Sequence, residues 1–278
     1  MLLKNKYISD DKTIKYEFYV KDSQDEVIES CLLSLEKHGT VICISSQIGC
    51  QQRCHFCAAG SKPFIRNATV DELSTQVSHI INDKPEYFEG TFQITYMGAG
   101  EPLGNFGVII ESMGLFCGKY EGLSKINIST VLPSLEIDVF AFSEFKNKVH
   151  FQYSLHFTDD VRRKRYFREQ LPSIKDSLKL LERLAHCTND IYSINYLLLD
   201  GINDSDSDAI CLSKLSSPSA YIKVSELCKI DGLPFYPSNR CDEFVKVLES
   251  QKVKYERFSS LGTDVNAGCG QFYNDSII

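Results

Sequence analysis

A chain of 278 residues can bury one full core, and with 43% hydrophobic and 24% charged residues it has the composition of neither a disordered nor a membrane-spanning protein. The net charge of −7 has the wrong sign for a surface built mainly to grip a phosphate backbone, and no apolar run nears the roughly 20 residues of a membrane helix. The opening stretch, MLLKNKYISDDKT, soon turns polar and holds no signal-peptide core, so a cytoplasmic location and no membrane partner are expected.

Taken in chain order, residues 13–22 (TIKYEFYVKD), a turn over 23–25 and residues 26–35 (EVIESCLLSL) read as an antiparallel extension. Residues 1–38 then form an N-terminal β extension packed on a core of residues 39–278. From residue 39, short β-branched runs alternate with longer amphipathic stretches, the pattern of repeated βα units on a parallel sheet. Strands are predicted over 40–47, 91–98, 125–132, 149–156, 192–200 and 220–226, and helices over 69–81, 106–117, 172–186 and 206–215. Thr69 opens the string TVDE, a capping box for the first of these helices. Right-handed crossovers curl six such units into a partial (β/α)6 barrel, an α/β fold whose sites lie at the C-terminal ends of the strands. A loop over 234–240, a helix over 241–251 and a short strand over 253–260 lead to a cysteine-bearing C-terminal loop, GTDVNAGCGQF. The basic run 162–168 (RRKRYFR) stands out against the acidic average and reads equally as a solvated helix face or a phosphate contact.

Eleven cysteines, an odd number, argue against a disulfide framework, and their spacing carries more than their count. Cys50, Cys54 and Cys57 stand in C-x3-C-x2-C spacing just after the first core strand, where one loop can wrap three thiolates around a cluster. A closed [4Fe-4S] site takes four thiolates, so three leave one iron open for a ligand. A Cys3His zinc site using His55 is the alternative, but His55 adjoins Cys54 and crowds tetrahedral closure. Cys117, Cys187, Cys211 and Cys241 are scattered singly and read as packing thiols.

The triplet, with an aromatic residue before its last cysteine, resembles the radical S-adenosylmethionine (SAM) superfamily. The resemblance implies that the open iron chelates the amino and carboxylate groups of SAM and that electron donation cleaves SAM to methionine and a 5′-deoxyadenosyl radical. An electron donor such as flavodoxin or ferredoxin is implied as partner. YMGAGEPL, one βα unit later, is similar to the superfamily's glycine-rich segment, which implies Gly98, Gly100 and Glu101 near the SAM ammonium. The strings CISSQIGCQQRCHFCAAG, MGAGEPLGNF, ISTVLP, YSLHFTDDVR and DVNAGCGQF resemble, in order and over nearly the whole chain, the rRNA adenine carbon-2 and carbon-8 methyltransferases.

That narrower resemblance implies an enzyme that moves a methyl-derived carbon to an sp2 carbon. Cys269 matches the cysteine that takes a methyl group from a first SAM, and Cys43 matches the partner that releases the product by forming a disulfide with it. Glu29 matches a glutamate near the substrate, a candidate for proton transfer, and Ser129 and Ser154 match strand-end positions that contact SAM. His156 is read as packing in the same layer. Members of the family carry an additional N-terminal helical domain that grips RNA, which the short stretch before Glu29 is expected to lack. Their Asn-Pro segment after the sixth strand is replaced here by KVSELCKI, with Glu226 or Cys228 near that place. The acceptor is therefore left open among a small heteroaromatic molecule, a nucleotide, a peptide and RNA, for a chain expected to be a monomer. Radical SAM hydrogen abstraction, epimerisation or crosslinking, and a non-enzymatic metal-cluster module, are the competing readings.

Overall fold

Alternation along the strands decides the architecture. The computed structural model describes residues 1–20, 26–35, 37–167 and 170–273. It opens with β1 (Leu2–Ile8), β2 (Ile14–Tyr19), β3 (Val27–Leu35) and β4 (Gly39–Ile44), each antiparallel to the next. Next come β5 (Gln47–Ile48), α1 (Ala58–Ser61) and β6 (Arg66–Asn67), followed by α2 (Val70–Asp83), β7 (Phe92–Tyr96), α3 (Phe106–Lys119), β8 (Leu123–Thr130) and β9 (Val149–Ser154). The remaining elements are α4 (Asp160–Tyr166), α5 (Ile174–Thr188), β10 (Tyr192–Leu198), α6 (Asp206–Ser213), β11 (Ala220–Glu226), α7 (Cys241–Ser250) and β12 (Tyr255–Phe258).

One sheet runs in the order β1-β2-β3-β4-β7-β8-β9-β10-β11-β12, parallel from β4 onward. The short strand near the C-terminus thus joins the six predicted ones as a further parallel strand. The first strand, β1, went unpredicted because its exposed residues carry no apolar alternation. The predicted turn over 23–25 lies outside the described residues.

On each parallel strand one set of side chains is apolar: Ile42 and Ile44, Ile94 and Tyr96, Ile126 and Ile128, Phe151 and Tyr153, Ile194 and Tyr196, Ile222 and Val224. These pack under Leu73, Val77 and Ile80 of α2, Met113 and Phe116 of α3, Leu181 and Leu184 of α5, and Phe244 and Leu248 of α7. A fully buried side chain of this kind contributes about 1.5–3 kcal/mol, so this face supplies most of the stability. The alternate set is polar, including Gln93, Thr95, Asn127, Gln152, Asn195 and Lys223, and faces the concave side. Side-chain bonds draw the two ends of the sheet together: Gly262 N–H to Asp11 Oδ2 at 2.6 Å, Ser9 Oγ to Asp264 Oδ1 at 2.5 Å, and His38 Nε2 to Glu256 Oε1 at 3.0 Å.

The capping box at Thr69 forms as its sequence indicates, with Glu72 N–H donating to Thr69 Oγ1 at 3.2 Å and Thr69 N–H to Glu72 Oε2 at 2.8 Å. The basic run keeps Lys164 and Arg165 exposed, as a solvated helix face would, but two of its arginines are engaged internally. Arg162 is paired at 2.5 Å with Asp159 and with Asp208, and Arg163 is buried over the rings of Tyr153 and Phe167; Arg168 lies outside the described residues. Cys211 is exposed on α6, so it is no packing thiol.

Asn203 is the polar pin of the crossover from β10 to β11. Its side chain accepts from Leu199 N–H at 2.7 Å and donates to the carbonyls of His156 at 2.7 Å and Leu197 at 2.8 Å, all buried. Leaving those groups without partners costs roughly 1–3 kcal/mol for each buried group. Asn203→Ala is expected to lower the unfolding free energy by about 2–4 kcal/mol, on the scale of a lost buried network, as read from urea denaturation. A change within ~0.5 kcal/mol, the range of ordinary surface substitutions, would contradict this role.

Candidate active site

Two cavities meet on the concave side of the sheet. The first, about 170 Å³, is lined by Cys50, Cys54 and Cys57 from the loop after β5, by Gly98, Gly100 and Glu101 from the turn after β7, and by Ser129 and Ser154 at the ends of β8 and β9. The crossover topology delivers these residues to one mouth, because every parallel strand ends on the same side.

The cysteine loop is held from several directions. Phe56 is buried edge-on against His156, Phe167 and Phe235, with ring centroids 5.3, 5.7 and 6.3 Å away. Gln47, fully buried, accepts from Gln51 N–H at 3.3 Å and Glu101 N–H at 3.0 Å, tying the loop to the glycine-rich turn. Each thiol faces the cavity and is otherwise enclosed by protein. Burial, then the neighbouring Cys57, pushes Cys50 up to about 12, and burial raises Cys54 and Cys57 as well. Main-chain N–H groups oppose this cost: Gln52 and Arg53 donate to the Cys50 sulfur, Ala59 and Gly60 to that of Cys57. Among the described residues, no three His, Cys, Asp or Glu side chains are gathered closely enough to grip a single metal ion. The thiols surround a cavity instead of a point.

Glu101 lies at the cavity wall, 3% exposed. Its carboxylate accepts from Thr130 Oγ1 at 2.6 Å, Val131 N–H at 2.9 Å and Leu103 N–H at 3.0 Å, yet burial outweighs these donors and lifts its pKa to about 7. The two glycines beside it are required by close approach. A Cβ at Gly98 would stand 2.6 Å from Ser45 Oγ, and Gly100, at φ +107°, would press one to 2.7 Å from Gln47. Ser129 and Ser154 share a hydrogen bond at 3.1 Å, and Gln152 donates to Ser129 at 3.1 Å. His156 packs as predicted: it stacks on Phe167 and accepts at Nδ1 from Leu197 N–H at 3.1 Å, and burial holds its pKa down to about 3.

The second cavity, about 110 Å³, penetrates the barrel interior and is lined by Cys31, Cys43, Lys223 and Cys269. Cys269 lines both cavities. Its loop is docked by Ala58 N–H donating to Gly270 O at 2.8 Å, and although Cys269 is itself exposed, the protein packed around its thiol raises the pKa against the pull of Ser260 and Lys223. Cys228 lies against the same loop, buried, with Cys269 N–H donating to its sulfur. Glu226 is instead paired with Arg257 at 2.8 Å. Glu29 lines neither cavity: its carboxylate is 3.1 Å from the buried Lys15 ammonium and accepts from Tyr273 N–H at 2.8 Å. Sequence reasoning overlooked Cys31, Lys223 and Gln47. Only the alternation of Cys31 with Leu33 and Leu35 pointed to a concave face.

No family model matches the chain. It is 35% identical over 270 residues to a probable dual-specificity RNA methyltransferase RlmN of Chlorobaculum tepidum, covering 92% of this chain and 70% of that protein. A protein of the same description from Caldicellulosiruptor saccharolyticus is 32% identical, over 96% of this chain and 77% of that one. The chain belongs to the RlmN family of radical SAM methyltransferases. The crystal structure of a radical SAM methyltransferase from Sphaerobacter thermophilus superposes with a TM-score of 0.86 at 26% identity, over 97% of this chain and 80% of that one.

As an RlmN-family enzyme the chain uses a [4Fe-4S] cluster and SAM, and its residues fit both. Of the three enclosed thiols, Cys50 and Cys57 receive main-chain N–H donors of the kind that tune iron-sulfur ligands, and a buried carboxylate with no cation beside it among the described residues opens onto the same space. No helix among the described residues is long and apolar enough to cross a membrane.

The N–H groups of a SAM amino group bound beside Glu101 need an acceptor and so favour its ionised form, and below its pKa of about 7 that carboxyl must first lose a proton. The affinity of the cluster-loaded protein for SAM is therefore expected to rise severalfold from about pH 6 to about pH 7.5, and Glu101→Gln to bind more weakly with that rise gone. Isothermal titration at several pH values measures both. The same pH dependence in wild type and variant would remove Glu101 from contact with the SAM amino group.

Proposed function

We propose that this enzyme transfers one carbon from SAM, by way of Cys269, to an sp2 carbon of an adenine in RNA. The reading is carried by Cys269 being the thiol common to the cavity of the three cluster cysteines and the cavity that holds Cys43. Bound at Cys50, Cys54 and Cys57, the cluster together with SAM supplies a methyl group and a one-electron cleavage that generates a carbon radical.

The chain's own residues do the rest. Gly98 and Gly100 keep the turn close to the cavity while Glu101 accepts from the SAM amino group, and Ser129 and Ser154 present hydroxyls to the polar parts of SAM. The Cys269 thiol must ionise to accept a methyl group, and Lys223 on the cavity wall favours that thiolate. Once the carbon is joined to the acceptor, the product is still tethered through the Cys269 sulfur. The Cys43 thiolate attacks the Cys269 sulfur, the carbon–sulfur bond breaks with its electron pair on carbon, that carbon takes up a proton to become the new methyl group, and a reductant returns the Cys43–Cys269 disulfide to two thiols. Glu29 acts here as a positioning residue, its buried pair with Lys15 anchoring the segment four residues beyond Cys269. RNA is the acceptor favoured by the relatives' descriptions, and the net charge of −7 confines its phosphate contacts to a local surface.

With RNA fragments, SAM and a one-electron reductant, Cys43→Ala is expected to accumulate a covalent RNA–protein adduct, and Cys269→Ala to give neither adduct nor methylated adenosine. Denaturing electrophoresis with labelled RNA reads the adduct. Multiple turnovers by Cys43→Ala with no adduct at any time would refute the thiol-release step; an unmodified RNA beside an active enzyme would move the acceptor to another chemical class.

A further inference from the structure

A third thiol belongs to this reaction centre. Cys31, on β3, is the direct register partner of Cys43 on β4 and, across its other edge, of Lys15 on β2. A lysine and two cysteines thus form one row across three antiparallel strands. Cys31 and Cys43 line the same cavity as Cys269, Cys31 is fully buried, and its thiol is hydrogen-bonded to Cys43. Directly opposed antiparallel residues have Cα atoms about 4.5–5.5 Å apart. That lies within the ~4.4–6.8 Å spanned by disulfides, so these two can bond without moving the strands.

We propose that Cys31 is the resolving thiol of the site, opening the Cys43–Cys269 disulfide by exchange and taking Cys43 as its own partner. The inference rests on the methyl-carrier reading, which supplies that disulfide. The Cys31 sulfur attacks the Cys43 sulfur, the Cys43–Cys269 bond breaks, a Cys31–Cys43 bond forms, and the proton of Cys31 ends on the released Cys269 thiol. No net oxidation occurs. A dithiol reductant then reduces the Cys31–Cys43 bond, becoming a disulfide itself and returning both thiols. The hydrogen bond to Cys43 and burial hold the Cys31 thiol well above the usual thiol range, and the Lys15 ammonium, 3.1 Å from Glu29, is the group that opposes them and favours the attacking thiolate. The carrier thiol is thereby freed for reloading before the external reductant acts.

The test uses the cluster-loaded enzyme under argon, treated with one equivalent of diamide, quenched in acid over a time course, alkylated with N-ethylmaleimide and mapped by peptide mass spectrometry. In wild type a Cys43–Cys269 disulfide is expected first, decaying as Cys31–Cys43 replaces it and Cys269 becomes alkylatable. Cys31→Ser, and Cys31→Ala with the same iron content as a check on folding, should stop at Cys43–Cys269. Persistence of Cys43–Cys269 in wild type, or Cys31–Cys43 appearing with no such precursor, overturns the exchange and leaves the carrier reading standing. Absence of any Cys269 disulfide in the Cys31 variants overturns both.

Discussion

The site depends on one constraint: the C-terminal segment must cross back over the open edge of the sheet and be held there. Among the described residues no strand pairing does this. It is done by single polar contacts, from Asp11 to Gly262, from Gly270 to Ala58 of the cluster loop, and from Glu29 to Tyr273. The last is built on a buried ion pair. Such a pair is worth little as net stability, but breaking it by removing one partner leaves an uncompensated charge and costs roughly 3–5 kcal/mol. Lys15 and Glu29 therefore specify where the loop lies more than they stabilise the fold, and Cys269 inherits its position from them.

Holding thiols inside a barrel raises a second problem, since burial disfavours the thiolates that bind iron and accept methyl groups. The chain answers it differently at each place. Around Cys50 and Cys57 the opposing groups are main-chain N–H donors from a tight loop, to which the iron of a cluster bound there would add its charge. Around Cys269 the opposing group is the Lys223 ammonium, whose own pKa burial lowers. On the proposed reading, bound iron would hold Cys50, Cys54 and Cys57 as thiolates against that burial, whereas Cys269 would ionise only when its methyl donor approaches.

Much of this was legible in the sequence. The βα rhythm and the triplet spacing are local signals, and the strands and helices they predict form within a few residues of the expected bounds. The capping box at Thr69 and the packing role of His156 are local as well. What escaped depends on pairing across strands. Cys31 carries no spacing motif, and its significance lies in the β3–β4 register, which only the fold supplies. Likewise the acidic partners of Arg162 include Asp208, 46 residues away, so part of a run that reads as surface charge is neutralised internally while Lys164 and Arg165 stay exposed. Glu29 was assigned by resemblance to the acceptor's surroundings, and the structure commits its carboxylate to Lys15 and Tyr273, because β2 places a lysine beside it.

The central claim is that Cys269 carries the transferred carbon. It is tested most directly by tandem mass spectrometry of the C-terminal peptide from cluster-loaded enzyme incubated anaerobically with SAM and reductant, in the absence of acceptor. The account predicts that Cys269 gains the mass of one CH2 unit, with no such gain at Cys43 or Cys31. An unmodified Cys269 in enzyme that cleaves SAM under the same conditions would contradict it.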